Sequence, residues 1–113
     1  MSRTAAPPAT VSRWSACFQA GQLDDCEALA QELVRDYPDN GKAWQLLGMS
    51  RFARGDLAAA LAQLRRAAEL ERGDRSILDN LGILLQKSGD HAGAREAVRA
   101  AVAPAAAGSR SNA

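Results

Sequence analysis

The residues of this sequence best suited to chemistry are two cysteines, one histidine and a short run of acids. Cys17 and Cys26 lie nine residues apart, and His91 is far along the chain. This spacing matches no common zinc site, and no nucleophile lies at a suggestive spacing from the histidine. The three acids within residues 24–27 suit the first turn of a helix, where negative charge complements the helix dipole. The sequence therefore predicts no metal, no cofactor and no catalytic activity.

Both cysteines fall on apolar faces of predicted helices. Free cysteine is among the most buried residue types, so two thiols in the core are favoured over a disulfide or a redox pair. This interpretation indicates a reducing compartment.

Composition and charge exclude several classes of partner. The chain has 113 residues, of which 47% are apolar and only 4% aromatic, and this favours a single soluble domain built of helices. Residues 1–40 carry three bases and six acids, whereas residues 41–113 carry eleven bases and seven acids. Neither half has the dense positive charge that nucleic acid binding requires. No segment approaches the roughly 20 apolar residues of a membrane span or contains a signal-peptide core, so the sequence predicts a cytoplasmic protein.

An internal repeat organises the elements that must position any site. Gly21, Gly55 and Gly89 are equally spaced along the chain, and each lies between two helix-like segments. Residues 41–74 align with 75–108, and the matched pairs include Leu47 with Leu81, Gly48 with Gly82, Asp56 with Asp90, Ala60 with Ala94 and Ala67 with Ala101. Most of these residues are small or apolar, which is typical of stacked structural repeats.

The boundaries of six helices can be predicted from local signals. N-cap residues precede four helical segments, at Asn40, Asp56, Asp74 and Asp90, and the spaced glycines can end the helices before them. We expect helices near residues 9 to 20, 23 to 36, 41 to 53, 57 to 71, 75 to 88 and 91 to 102. The predicted domain covers 9–103, with repeats near 7–40, 41–74 and 75–108. The segments 1–8 and 104–113 are expected to be flexible tails.

Small residues are expected where the two helices of a hairpin cross. Gly48 is predicted to face Ala60 and Ala67, and Gly82 to face the equivalent alanines of the next repeat, because small side chains allow two helix backbones to approach closely.

The segment Trp44-Gln45-Leu46-Leu47-Gly48, followed by Gly-Asp and then by spaced alanines, resembles the tetratricopeptide repeat, and the spacing of the glycines equals the period of that repeat. The resemblance implies an all-α fold of three tandem helical hairpins in a short right-handed solenoid. In that family the first helix of each hairpin lines a concave groove that receives a peptide. The chain is also similar in size and plan to the small tetratricopeptide-like chaperones of bacterial type III secretion.

The resemblance also places candidate groove residues. They are Lys42, Gln45, Leu46, Met49, Phe52, Ser76, Asp79, Asn80, Ile83 and Lys87. Asn80 matches a position at which family members often bind peptide backbone, with an ordinary surface role as the alternative. The set of residues that clamps a C-terminal carboxylate in some relatives is absent, so we expect recognition mainly through the apolar members of the groove.

Both ends of the predicted stack depart from the pattern. Trp14 stands where the later repeats have Gly48 and Gly82, either because terminal repeats are atypical or because Trp14 and Phe18 form an exposed anchor for a partner. At the other end, no seventh capping helix follows. The outward side of the last hairpin, with Leu85, Val98 and Val102, is then expected to stay uncovered and to favour self-association as a homodimer, unless it is too weakly apolar to matter.

The predicted function is protein binding. The first hypothesis is an adaptor or chaperone that holds a peptide or amphipathic segment of another protein in the groove. The alternative is a self-assembling scaffold, or the helical arm of a larger enzyme such as a glycosyltransferase. A DNA-binding helix-turn-helix ranks third because the hairpins repeat in register and the charge is nearly balanced.

Overall fold

The computed structural model describes residues 6–102, which fold into six α-helices and no strand. The helices are α1 Pro8–Gln19, α2 Leu23–Asp36, α3 Gly41–Ala53, α4 Leu57–Leu70, α5 Arg75–Ser88 and α6 His91–Val102. These bounds agree with the predicted helices to within one residue at each end. The expectation of flexible tails falls largely outside the described residues, although Pro8 already belongs to α1.

Four helices begin at the side chains predicted to cap them. In each case a carboxylate or amide oxygen accepts a hydrogen bond from a backbone N–H three residues later, and this satisfies a donor that the helix leaves unpaired. The oxygens belong to Asn40, Asp56, Asp74 and Asp90, at 3.0, 3.1, 3.1 and 2.8 Å. The prediction of these N-caps is confirmed.

The repeated glycines have a left-handed backbone, as predicted. The φ angles are +76° at Gly21, +89° at Gly55 and +92° at Gly89. A Cβ atom at any of the three would meet no neighbour within 4 Å, so the backbone conformation, rather than lack of space, selects glycine there.

The helices pack as three antiparallel hairpins in a row. Each helix packs against the next one along the chain, so that α2 and α4 connect successive hairpins. Side-chain hydrogen bonds also join α1 to α3 and α3 to α5. The odd-numbered helices therefore form one layer and the even-numbered helices the other, in the predicted solenoid of three hairpins.

The close crossing of α3 and α4 is made at Gly48, but its neighbours differ in part from the prediction. A Cβ atom at Gly48 would lie 3.0 Å from Leu64 Cγ and 3.2 Å from the carbonyl oxygen of Ala60. Ala67 lies instead beside Gly41, whose Cβ would be 3.0 Å from the Ala67 oxygen. The helices are antiparallel, so an earlier residue of α3 meets a later residue of α4.

Most of the buried apolar residues in the described chain fall into two clusters. The first joins the first hairpin to α3, and its buried members are Trp14, Cys26, Leu29, Ala30, Leu33, Ala43, Leu46 and Leu47. The second joins α4 to the last hairpin through Ala60, Leu64, Leu81, Leu84, Leu85, Ala94 and Ala97. Met49, which is partly buried, packs against both.

Candidate protein interaction surface

The layer of odd-numbered helices carries a hydrogen-bonded polar cluster at the junction of α3 and α5. Gln45, which is only 5% exposed, donates from Nε2 to Ser76 Oγ at 2.8 Å and to Asn80 Oδ1 at 2.6 Å. Its own Oε1 accepts from Lys42 Nζ at 3.1 Å. We call these four residues, Lys42, Gln45, Ser76 and Asn80, the polar cluster.

The outer members of the polar cluster keep donors to spare. Gln45 donates its amide hydrogens to Ser76 and to the side-chain oxygen of Asn80. The NH₂ group of Asn80 therefore remains as a donor. Ser76 accepts through its hydroxyl oxygen and keeps its O–H, and the Lys42 ammonium has three donors of which one is used. The cluster therefore offers donors to whatever lies on this layer.

The apolar residues expected in the groove are mostly covered. Leu46 is only 5% exposed and belongs to the first core cluster, so the expectation that it contacts a partner is not met by this surface. Met49 and Phe52 are partly buried against the core. Ile83 is 51% exposed. At the junction of α3 and α5 this layer is therefore more polar than expected.

The α5 residues predicted for the groove take part in two different features. Ser76 and Asn80 bond back to α3 through Gln45. Asp79, Ile83 and Lys87 line a cleft of about 420 Å³ shared with α6, at the end of the stack. The ten predicted residues are therefore divided between the polar cluster, this cleft and three residues of α3 that pack on the core, Leu46, Met49 and Phe52.

Trp14 is not an exposed anchor. It is 8% exposed, donates from its indole Nε1 to Ser50 Oγ at 2.8 Å, and stacks on the partly buried ring of Phe18 with centroids 4.7 Å apart. The indole is accommodated because the residue opposite it on α3 is a small serine, whose hydroxyl also satisfies the indole N–H. The atypical first repeat is thus a packing solution.

Leu85 is buried as well, which corrects the expectation that it lies on the outward side of the last hairpin. It is 3% exposed and packs into the second core cluster, because its side of α5 faces the preceding hairpin. Val98 and Val102, at 51% and 57% exposed, do lie uncovered within the described residues.

Ion pairs between α2 and α3 were not anticipated. Arg51 Nε lies 2.6 Å from Glu27 Oε2, Arg54 Nε lies 3.1 Å from Glu27 Oε1, and Arg54 also pairs with Asp24. The acids complement the helix dipole of α2, and their arginine partners lie in the last turn of α3 and at its C-cap. The sequence could have indicated these ion pairs. Asp24 and Glu27 are separated by the same number of residues as Arg51 and Arg54, and the two helices were predicted to be neighbours.

The thiols occupy the places predicted for them and form no disulfide. Cys26 is fully buried and Cys17 partly buried. Burial raises the pKa of the Cys26 thiol, and the neighbouring Cys17 and Asp25 add to the effect. Among residues 6–102 no group of acids, histidines and cysteines could hold a metal ion, and no helix there is long and apolar enough to cross a membrane.

Two observations identify the repeat. The three hairpins repeat at the constant interval that separates Gly21, Gly55 and Gly89, and the family model described as tetratricopeptide repeat matches residues 46–66 and 77–100. The chain therefore carries tetratricopeptide repeats. The two matches cover α3 to α6, and the first hairpin, with Trp14 in place of the small residue, lies outside them.

Two known proteins illustrate how such repeats occur elsewhere. A solved structure of MamA from residue 41 onward, from Desulfovibrio magneticus RS-1, superposes with a TM-score of 0.72 at 19% identity, over 79% of this chain and 50% of that one. The probable biofilm formation methyltransferase WspC of Pseudomonas putida is 33% identical over 76 residues, which are 67% of this chain and 18% of the enzyme. The first likeness shows the fold, and the second shows a similar segment that forms a small part of a larger protein.

Proposed function

We propose that this chain is a binding module that holds an extended peptide segment of another protein against the polar cluster. The observation that carries the proposal is the double hydrogen bond from Gln45 to Ser76 and Asn80, which fixes two side chains of α5 relative to α3. A prearranged set of donors lowers the ordering cost of binding.

The partner's chemistry follows from the unused donors. An extended peptide presents backbone carbonyl oxygens at regular intervals, and these can accept from the Asn80 amide, the Ser76 hydroxyl and the Lys42 ammonium. The ammonium also favours an acidic side chain at that end of the peptide. Because Leu46 is buried, the surface suits such a segment better than an apolar helix in need of masking, and this supports an adaptor over a chaperone. A reducing, cytoplasmic setting is part of the proposal and is supported by the free thiols.

The test begins with selection of phage-displayed random peptides on the immobilised chain. The strongest binder is then titrated into isotopically labelled protein. We expect the largest shifts at the side-chain amides of Gln45 and Asn80 and along α3 and α5. Shifts confined to α2, α4 and α6, or a selection that enriches no peptide, would contradict the proposal.

A conservative variant isolates the donor. Asn80→Asp keeps an oxygen for Gln45 but replaces the free NH₂ donor with an acceptor, so affinity for the selected peptide should fall about tenfold or more. Gln31→Glu makes the same change of charge on the exposed surface of α2 and should leave the affinity unchanged. Equal affinity for Asn80→Asp and the wild type would show that Asn80 is an ordinary surface residue.

A second candidate function, the arm of a larger enzyme, is favoured by the match to a methyltransferase of which this region forms a small part. In that case the repeats would position the enzyme on its target protein, and a methyltransferase is the enzyme class that the observation supports. An antibody raised against residues 6–102 distinguishes the cases. A native band near 11.9 kDa favours the separate module, and a much larger band favours the arm.

A further inference from the structure

The open face of the last hairpin is the most apolar exposed surface of the described chain. Three aliphatic side chains are more than half exposed, and all lie on α5 and α6: Ile83 at 51%, Val98 at 51% and Val102 at 57%. Ile83 and Val98 line the same cleft of about 420 Å³. Clustering of exposed aliphatic residues at one site marks an interaction surface.

The repeat itself shows that this face has the character of an interior one. In the register of the repeat, Ile83, Val98 and Val102 correspond to Met49, Leu64 and Ala68 of the preceding hairpin. Those three residues pack into the second core cluster, where α5 covers them, and Leu64 is fully buried. The last hairpin therefore presents, uncovered, the positions that the middle hairpin buries.

The first hairpin of another copy does not supply a matching cover. The residues of α3 that pack onto the first hairpin include Leu46 and Leu47, and the register places Ser12 and Arg13 at these positions on α1. Both are exposed and polar. Head-to-tail stacking would press an arginine against the aliphatic face, so the open face requires a different partner surface.

On α5 the charges of the open face are self-complementary, and α6 adds two bases, Arg95 and Arg99, beside Val98. Asp79 and Lys87 lie four residues before and four residues after Ile83, so the three form one stripe along α5. All three are exposed, and within the described chain neither charge belongs to an ion pair. If two copies of α5 pack antiparallel with Ile83 at the two-fold axis, each Asp79 faces Lys87 of the partner.

We propose that the open face binds a second copy of this chain, with α5 antiparallel to α5 of its partner about a two-fold axis at Ile83. A two-fold interface needs a patch that complements itself, and the stripe of Asp79, Ile83 and Lys87 does so in both charge and apolar character. Val98 and Val102 extend the apolar contact on α6. Asn80 lies three residues before Ile83 and therefore on the neighbouring turn of the same side of α5, so the dimer and a peptide held by the polar cluster would compete for this region.

Charge reversals test this pairing directly. Asp79→Lys gives a dimer with four bases around the axis, and Lys87→Asp gives one with four acids, so each variant alone should dimerise at least about tenfold more weakly than the wild type. A mixture of the two variants restores both oppositely charged pairs, and the double variant Asp79→Lys/Lys87→Asp does the same. Sedimentation equilibrium should show near twice 11.9 kDa for wild type, mixture and double variant, and a mass shifted toward the monomer for each single variant.

Controls separate this pairing from other arrangements. Asp39→Lys and Arg72→Asp make the same charge changes at exposed positions outside the stripe and should dimerise as the wild type does. Failure of the mixture to recover would overturn the antiparallel pairing. A wild type that is monomeric, and that dimerises only after removal of residues 103–113, would show that its own segment covers the face and would equally overturn the proposal. A wild type that stays monomeric both with and without residues 103–113 would indicate that a different protein binds the open face, and it would also overturn the proposal.

Discussion

At the scale of single residues, the two equivalent glycines of the helix crossings differ in the space around them. A Cβ atom at Gly48 would lie 3.0 Å from Leu64 Cγ, whereas at Gly82 the nearest atoms, in Ala97 and Val98, would be 3.5 Å away. The first distance is tighter than ordinary contact, so the fully buried Leu64 would have to shift by a few tenths of an ångström, whereas the second is ordinary contact. The same repeat position therefore has different tolerances in neighbouring hairpins.

Alanine at these two positions should have opposite effects on stability. Gly82→Ala gains helix propensity and should raise the free energy of unfolding by up to about 1 kcal/mol. Gly48→Ala gains the same propensity but overpacks the crossing, at a cost of about 1 to 3 kcal/mol, so it should be the less stable variant. Urea denaturation of both gives the comparison. Equal shifts in the same direction would show that the crossing of α3 and α4 relaxes freely.

At the scale of elements, one buried side-chain hydrogen bond links α1 to α3. Ser50 is fully buried, accepts from the indole of Trp14 and donates to the carbonyl oxygen of Leu46 at 2.8 Å. Ser50→Ala leaves a buried indole N–H unpaired, which should lower the free energy of unfolding by about 1 to 3 kcal/mol. Hydrogen exchange should show faster opening of α1 than of α3. Ser12→Ala, on the exposed side of α1, is the control and should change stability by less than about 0.5 kcal/mol.

The contribution of the hydrogen bond between Trp14 and Ser50 can also be distinguished from a loss of packing. Trp14→Phe removes the donor, so Ser50→Ala should cost less in that background than in the wild type. A coupling of about 1 kcal/mol in the double-mutant cycle is expected. Additive effects would mean that the hydrogen bond contributes nothing to docking.

The sequence predicted the helices well because their ends depend on local chemistry. The side chains that cap α3 to α6 and the left-handed glycines act within a few residues of where they stand. The exposure of individual side chains was harder to predict, because it depends on which residue of a neighbouring helix packs against each one. Trp14 is buried because Ser50 leaves room for it, and Leu85 is buried because of the direction in which one hairpin packs on the next.

The candidate site shows the same difference between positions that the sequence predicts and contacts between helices that it does not. The register of the repeat brought Gln45, Ser76 and Asn80 to one layer, but it could not show that they bond to one another. Whether an amide is paired depends on distances of a few tenths of an ångström between helices, and these are set by side chains throughout the core.

At the scale of the whole molecule, the two core clusters behave as neighbouring units of a stacked protein. In such proteins stability is the sum of the units and the contacts between them, and cooperativity depends on those contacts. Met49 packs against both clusters from the centre of the stack. Both tryptophans, Trp14 and Trp44, lie in or against the first cluster, so their fluorescence reports that half alone, whereas circular dichroism reports all six helices.

Shortening Met49 should therefore weaken the coupling of the two halves as well as the stability. Met49→Ala removes a partly buried side chain, at an expected cost of about 1 to 2 kcal/mol, less than for a fully buried methionine. The wild type should unfold with fluorescence and circular dichroism transitions that coincide, and the variant with transitions that separate. Leu61→Ala removes a side chain packed against the second cluster and is the matched control, so its transitions should shift but stay together. Coincident transitions in Met49→Ala would mean that the backbone contacts between α2, α3, α4 and α5 carry the cooperativity without this side chain.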